Sequence, residues 1–181
     1  MTRHETPPQP APSRMTEFHG HPLVVAVTEQ PEALVVLTAA SLARATGAEA
    51  LYFAFVDPAR YVDEELPDGS VRHHSVDSDI GDELWPERER RIVHWVSEVM
   101  RGSDIPWHFR YLAGRADRAL THLARAVDAA AFVVGTQTRP HRRARDFLAQ
   151  SLSMQLAHRQ HRPVLVVPLV VVDWHAPGPW E

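Results

Sequence analysis

The stretch from Ala131 to Pro168 constrains the fold of this chain most strongly. It opens with the apolar run Phe132–Val134 and closes with a second apolar run, Val164–Val167. Between these runs leucine recurs every four residues, the spacing of one helix face, at Leu148, Leu152 and Leu156. Two buried strands joined by a helix form a βαβ unit with parallel strands, whose ligands bind beyond the carboxyl ends of the strands. The loop from Gly135 to Ser151 is therefore the predicted ligand site.

The remainder of the chain repeats this alternation of buried strand and helix. The apolar runs Leu23–Val27 and Leu51–Val56 predict two further buried strands. In Trp107–Tyr111 aromatic residues alternate with polar ones, which predicts a strand nearer an edge of the sheet. The fold class is therefore α/β, with a five-stranded parallel sheet that is doubly wound, with helices on both faces.

The first predicted helix follows Pro31 and Glu32, two residues that suit the first turn of a helix. Its apolar residues recur at helical spacing, so we expect one apolar face to pack against the sheet. That face is predicted to contain Leu34, Leu37, Ser41, Leu42 and Ala45. Gly47 is placed to cap the end of this helix.

Three segments fall outside the regular pattern. Residues 1–20 are rich in proline and poor in apolar side chains, so we expect a disordered tail. Residues 59–85 are acidic and include a Pro-Asp-Gly-Ser turn, which is typical of a mobile surface excursion. Residues 174–181 form a second tail, whose two tryptophans favour a docked arm. The domain itself is predicted to span residues 21–173.

The composition argues against several classes of function. The chain has 181 residues, a net charge of −4 and no cysteine. A slightly acidic chain offers no electrostatic case for binding nucleic acid, and without cysteine it has neither disulfides nor thiolate chemistry. No apolar run reaches the roughly 20 residues that span a bilayer, and we do not expect the polar N-terminus to act as a signal peptide. We expect a cytoplasmic protein without a nucleic-acid or membrane partner.

Two further patterns have simple structural interpretations. The cluster of His73, His74, Asp77 and Asp79 lacks the helical pair of histidines typical of many metal sites, so no metal is expected. Ser151 is placed to cap a helix, and no base with its orienting group follows it in the sequence. We therefore predict no catalytic residue.

The order of motifs resembles the universal stress protein family. The matching pieces are LVVAV, SLARATGAEALYFAFVDP, YLAGRADRALTHLARAVDAAAFVVG and SLSMQLAHRQHRPVLVVP, which together cover most of residues 22–168. The resemblance implies an adenine-nucleotide α-hydrolase-like sheet, a stress-response role without catalysis, and homodimers formed through the C-terminal strand. Because the last apolar run continues to Val172, the dimer interface is predicted to contain Val164, Val166, Val170 and Val172.

One branch of that family binds ATP through the motif G-x2-G-x9-G-[ST], in which glycines let backbone N–H groups approach the phosphates. Here Gly135 and Ser151 match its ends, but Thr138 and Gln150 replace the other glycines and the loop is two residues longer. Thr28 replaces the branch's acidic adenine contact. The resemblance implies that any nucleotide would contact Thr28, Val56, Val134, Gly135, Gln137, Thr138, Arg142, Arg143, Gln150, Ser151 and Leu152.

Three functions remain open at this point. The first is a homodimeric, non-catalytic stress-response module with protein partners and a degenerate nucleotide or anion site, for which no cofactor is required. The second is a regulatory switch that binds ATP or AMP, since Arg142 and Arg143 belong to a basic loop and guanidinium groups bind phosphate. The third is an enzyme of the wider nucleotide-binding fold, but the first turn, residues 28–31, offers no phosphate cradle.

Overall fold

The computed structural model describes residues 10–76, 84–136 and 151–169. Its α-helices are α1 (Ala33–Thr46), α2 (Trp85–Val99), α3 (Ala116–Ala126) and α4 (Leu152–Arg159). Its strands are β1 (Leu23–Ala26), β2 (Leu51–Asp57), β3 (Arg60–Glu65), β4 (Val71–Ser75), β5 (Trp107–Ala113), β6 (Ala131–Gly135) and β7 (Val164–Val167). A short 3-10 helix, Pro12–Arg14, precedes them. Within these ranges, none of the helices combines the length and the apolar character that crossing a membrane requires.

Five of the strands form one parallel sheet in the order β5-β2-β1-β6-β7, which confirms the predicted fold class. The register pairs Leu23 with Leu51 on one side and with Ala131 on the other. After β1 the chain forms β2 and β5 on one side of β1, and then crosses over to form β6 and β7 on the other side. This reversal lies between β1 and β6, the place where doubly wound sheets open a crevice for ligands.

Both faces of the sheet are buried, because successive residues of β1 serve different halves of the core. Leu23 and Val25 pack with residues of α1 and α2 on one face. Val24 packs on the other face with residues of α3 and α4, among them Leu120 and Leu156. Two-sided burial explains why the strands are continuous apolar runs instead of alternating ones. The prediction that β5 is an edge strand is confirmed by its place in the sheet.

The predicted packing face of α1 is wrong except for Leu42, which is partly buried against the core. The buried side chains of this helix are Val35, Val36, Ala39, Ala40 and Ala43. Leu34 and Leu37 instead lie on the outside, each 53% exposed. Helix α1 is apolar around most of its circumference, so periodicity alone did not distinguish the two stripes. The structure turns the alanine side inward, where small side chains let the helix approach the sheet closely.

The prediction of irregular structure over residues 59–85 is wrong for residues 60–75, whereas residues 77–83 lie outside the described residues. Strands β3 and β4 pair as an antiparallel hairpin, and α2 begins at Trp85. The predicted turn closes the hairpin, with Leu66 N donating to Ser70 O (2.9 Å) and the Asp68 carboxylate accepting from Ser70 N (3.0 Å). Most residues of this two-stranded hairpin are charged or polar and face water. Such strands have no apolar pattern from which the sequence could predict them.

The hairpin lies against the edge of the main sheet and against α3. Arg110 of β5 forms an ion pair with Asp68 in the hairpin turn (3.5 Å) and lies over the ring of Tyr52. At the hairpin tip Gly69 packs so closely on α3 that an added Cβ would lie 2.5 Å from Leu123 Cδ1. The hairpin therefore covers the β5 edge, which would otherwise be open to pairing with another chain.

The opposite edge of the sheet, β7, is more open. Leu165 and Val166 are 39% and 40% exposed. The last apolar run is expected to form a strand that continues past Pro168. β7 instead ends at Val167, so Pro168 and Leu169 are not part of it. Val170 and Val172 lie outside the described residues.

The predicted N-terminal tail is only partly within the described residues. Of residues 10–20, Phe18 packs against the core and Gly20 N donates to Gly47 O (2.9 Å).

Two glycine substitutions test whether the hairpin is docked. Gly69 and Gly102 both have a φ of +80°, but an added Cβ meets Leu123 at the first site and nothing within 4 Å at the second. We expect Gly69→Ala to lower the free energy of unfolding by about 1–3 kcal/mol more than Gly102→Ala, because overpacking is added to the same backbone strain. Urea denaturation measures both losses. Equal losses would show that the hairpin tip does not rest on α3.

Candidate functional site

The structure brings three of the predicted nucleotide-contacting residues to one end of the sheet. β1 pairs with β2 and β6 in register, Val25 facing Phe53 on one side and Val133 on the other. Thr28, Val56 and Gly135 therefore all lie at or just past the carboxyl ends of three adjacent strands. This is the end of the sheet, next to the crossover between β1 and β6, where α/β proteins bind ligands.

Gly135 is held against apolar side chains at this end. A Cβ at this position would lie 2.8 Å from Leu169 Cδ1 and 3.0 Å from Val35 Cγ2. Leu169 is fixed there by its backbone N–H, which donates to Thr136 Oγ1 (2.8 Å). A side chain at residue 135 would collide with this packing. Leu169 and Val35 thus already fill the space beside this glycine, independently of any phosphate.

The other described positions of the predicted site have structural roles. The Thr28 hydroxyl donates to Gln30 O (2.7 Å) and so stabilises the turn after β1. Val134 is buried, and Val56 is half-buried against the core on the α3 side of the sheet. Their side chains form part of the sheet's packing.

Ser151 is the N-cap of α4, as predicted. Its hydroxyl accepts a hydrogen bond from Met154 N (3.4 Å) and lies 2.9 Å from the Ser153 hydroxyl. Leu152, the first residue of the helix, packs against the core. The remaining members of the predicted site lie outside the described residues: Gln137, Thr138, Arg142, Arg143 and Gln150.

A buried charged network that the sequence analysis missed lies beside this site. Asp57, the last residue of β2, is 4% exposed. Its Oδ1 accepts from Ala59 N (2.9 Å), and its Oδ2 accepts from Arg88 Nη1 (2.6 Å) and Tyr111 Oη (2.7 Å). Arg88 also forms an ion pair with Glu29 in the turn after β1 (Nε to Oε1, 3.3 Å). We call these four residues, Glu29, Asp57, Arg88 and Tyr111, the Asp57 network.

The pKa values of Tyr111 and Arg88 in the Asp57 network are raised, so that Tyr111 stays neutral and Arg88 stays charged. Burial raises the pKa of Tyr111, and the hydrogen bond that its hydroxyl donates to Asp57 raises it further. Burial alone would lower the pKa of Arg88, but contacts with Tyr111, Asp57 and Glu29 raise it overall. Tyr111 therefore stays a neutral donor and Arg88 a cation. Both oxygens of Asp57 are already occupied by donors, so the network acts as a brace between β1, β2, β5 and α2.

An aromatic cluster formed by residues of β4, α2 and β5 covers this network. The rings of His73 and Trp85 lie 5.4 Å from the Tyr111 ring, centroid to centroid, and 4.9 Å from each other. Arg60 is 6% exposed, donates from Nε to His73 Nδ1 (2.6 Å) and lies over the Trp85 ring. The hairpin is thus held beside the Asp57 network by His73, which packs on Tyr111, and by Arg60, which packs on Trp85 of α2.

The two histidines considered as metal ligands do not converge. His73 faces Tyr111, whereas His74 on the same strand faces Asp63 (3.8 Å), because neighbouring strand residues point to opposite sides. Asp77 and Asp79 lie outside the described residues. Across residues 10–76, 84–136 and 151–169, no group of three or more histidine, aspartate or glutamate side chains is arranged to hold a metal ion.

One signal in the sequence could have revealed the Asp57 network. Asp57 is a carboxylate that ends an apolar strand, and it is followed by proline, so it lies at the edge where functional or buried polar residues collect. Its partners Arg88 and Tyr111 lie 31 and 54 residues further along the chain. Such long-range pairing leaves no local periodicity.

Arg88 and Arg91 provide a matched test of the Asp57 network, since both contact Glu29 but only Arg88 contacts buried Asp57. Their side chains are 26% and 68% exposed. We expect Arg88→Met to lower the free energy of unfolding by about 2–4 kcal/mol, because it leaves a buried carboxylate without its cation. Arg91→Met should cost less than about 0.5 kcal/mol, as exposed pairs do. Similar small losses in urea denaturation for both variants would contradict the bracing role.

Comparison with known proteins identifies the family. A family model described as the universal stress protein family matches residues 21–168. No curated protein matches the chain in a sequence comparison.

Several solved structures share the fold. UspA from Lactobacillus plantarum is 16% identical, with a TM-score of 0.57 over 82% of this chain and 98% of its own. A universal stress protein in complex with cAMP is 19% identical, with a TM-score of 0.56 over 84% of this chain and 99% of its own. The Archaeoglobus fulgidus protein in complex with dAMP is 19% identical, with a TM-score of 0.55 over 81% and 96%. The family match and the shared fold lead to one conclusion: the chain belongs to the universal stress protein family.

Proposed function

We propose that this chain is a non-catalytic, homodimeric stress-response module whose nucleotide site is degenerate. The observation that carries the proposal is the packing around Gly135. The one glycine of the phosphate motif that the chain retains lies against Leu169 and Val35. A phosphate cradle needs a glycine whose surroundings are open to the ligand, so that its backbone can approach the phosphate. At Gly135 an apolar side chain of the protein takes that space.

The chemistry of the remaining positions supports the same proposal. Thr28 carries no charge, and its hydroxyl is engaged within its own turn. The neighbouring charges of Glu29, Asp57 and Arg88 form ion pairs with one another, although Arg88 Nε makes no hydrogen bond among the described residues. A nucleotide that contacted these groups would have to separate a buried ion pair, at a cost of several kcal/mol. The Ser151 hydroxyl acts as a helix cap, which supports a role without nucleophilic catalysis.

The asymmetry of the sheet edges supports a homodimer through β7. The hairpin covers the β5 edge, whereas Leu165 and Val166 of β7 are about two-fifths exposed. An open edge strand with apolar side chains is a template for pairing with another chain. We place Val164 and Val166 in this interface, and we propose that Val170 and Val172, outside the described residues, continue it.

A second candidate function is a regulatory switch that binds ATP or AMP in the loop between Gly135 and Ser151. The observation that favours it is the shared fold with universal stress proteins solved in complex with cAMP and with dAMP. In this chain the phosphate contacts would come from Arg142 and Arg143, since guanidinium groups bind phosphate without a glycine cradle.

A thermal-shift experiment separates the two functions. With about 1 mM ATP, a site of roughly 10 μM affinity would stabilise the folded state by about 2.7 kcal/mol. For a chain of this length that is a rise in Tm of roughly 5–10 °C. We expect a rise below about 1 °C with ATP, ADP, AMP or cyclic AMP, because the degenerate site offers no fitted cradle. Magnesium chloride with inorganic phosphate serves as the ionic control.

A nucleotide-selective rise of several degrees would overturn the degenerate-site proposal. The Arg142→Ala/Arg143→Ala variant then identifies the clamp. Loss of the rise in this variant would establish the switch, whereas an unchanged rise would mean that the two arginines do not hold the phosphates.

A further inference from the structure

Helix α1 presents an apolar surface on the side that faces away from the sheet. From Ala33 to Ala43 it has no charged side chain, although the outer face of a surface helix is normally polar. Leu34 and Leu37 are each 53% exposed on this side. Next to them runs a groove of about 480 Å³ between α1 and β7, lined by Leu37, Thr38, Ser41, Leu42, Ala45 and Leu165. An apolar surface of this kind marks a site of interaction.

The described part of the chain after β7 ends at the start of α1. The family match ends at residue 168, so Leu169 is the first residue beyond it. Leu169 turns inward over the end of the sheet, where its side chain packs with Val35 at the start of α1. The described chain therefore ends near Val35, in the first turn of α1, the helix that carries the exposed apolar stripe.

The segment that follows has the length and composition to cover the stripe. Residues 170–181, VVVDWHAPGPWE, contain three valines, two tryptophans and two prolines. The stripe from Leu34 to Ala45 is about 16 Å long, at 1.5 Å per helical residue. Five extended residues reach about 17 Å, so Trp174 can lie anywhere along the groove. A buried tryptophan covers roughly 150–250 Å², which suits a shallow apolar groove.

We infer that residues 173–181 of this chain, which follow the valines proposed for the dimer interface, pack across the outer face of α1 and seat Trp174 in the groove between α1 and β7. A tethered segment has an effective concentration of the order of millimolar, so it outcompetes a second copy of the chain at ordinary concentrations. The groove has no charged lining residue to select a polar partner. The inference does not depend on the proposed function. The docked segment would cover Leu165, whereas Val164 and Val166, proposed for the dimer interface, point to the other side of β7.

Paramagnetic broadening in the full chain tests this inference. The chain has no cysteine, so a nitroxide can be attached at one chosen site. With the indole nitrogens labelled with ¹⁵N and the Trp174 signal assigned from Trp174→Phe, a nitroxide on Glu49→Cys, just past the end of α1 and outside the groove lining, should abolish most of that signal. A nitroxide on Arg72→Cys, in the hairpin, should broaden Trp85 and leave Trp174 intact. Reducing the nitroxide should restore every signal.

A dilution experiment and a pair of substitutions complete the test. Diluting the doubly labelled chain into a large excess of unlabelled chain should leave the broadening unchanged, because the contact is within one chain. Leu37→Asp should restore the Trp174 signal, whereas Val76→Asp, an acid placed at another exposed apolar residue, should not. An intact Trp174 signal in the chain with the Glu49→Cys nitroxide would overturn the inference. Broadening that disappears on dilution would overturn it in favour of a second copy as the occupant.

Discussion

The burial of the parallel sheet on both faces is the constraint on which the rest of the structure depends. β1 lies at the centre, and its side chains alternate between the α1–α2 half of the core and the α3–α4 half. Because all five strands are parallel, their carboxyl ends share one edge, and every polar residue that ends a strand is brought there. The position of the candidate site therefore follows from the sheet, whatever the residues at that edge are able to bind.

The residues at that edge of the sheet mostly contact one another. Leu169 fills the space beside Gly135, and Arg88 joins the buried carboxylate of Asp57 to Glu29. The hairpin adds Arg60 and His73 above Tyr111. At this edge the charges are already paired and the apolar surfaces are already packed within the protein. A ligand therefore gains little there, since each new contact must replace an existing one. The degenerate phosphate motif and the packed edge of the sheet thus support the same proposal, that the nucleotide site is degenerate.

The sequence predicted the parts of the fold that depend on local periodicity. The five apolar strands, their parallel arrangement, the capping by Ser151 and the edge position of β5 are all confirmed. The packing face of α1 was wrong, because its leucine stripe and its alanine stripe have the same period. The hairpin and the Asp57 network were missed, because charged strands carry little hydrophobic signal and their partners are distant in sequence. The same limit applies to Leu169, whose contact with Gly135 follows from the path of the chain after Pro168.

Native mass spectrometry of the full chain, purified from cells without added nucleotide, tests the central claim most directly. It reports the number of subunits and any retained ligand in a single measurement. The account predicts a dimer whose mass equals that of two chains, with no nucleotide attached. A dimer that retains one nucleotide per subunit would contradict the degenerate nucleotide site. A monomer would contradict dimerisation through β7.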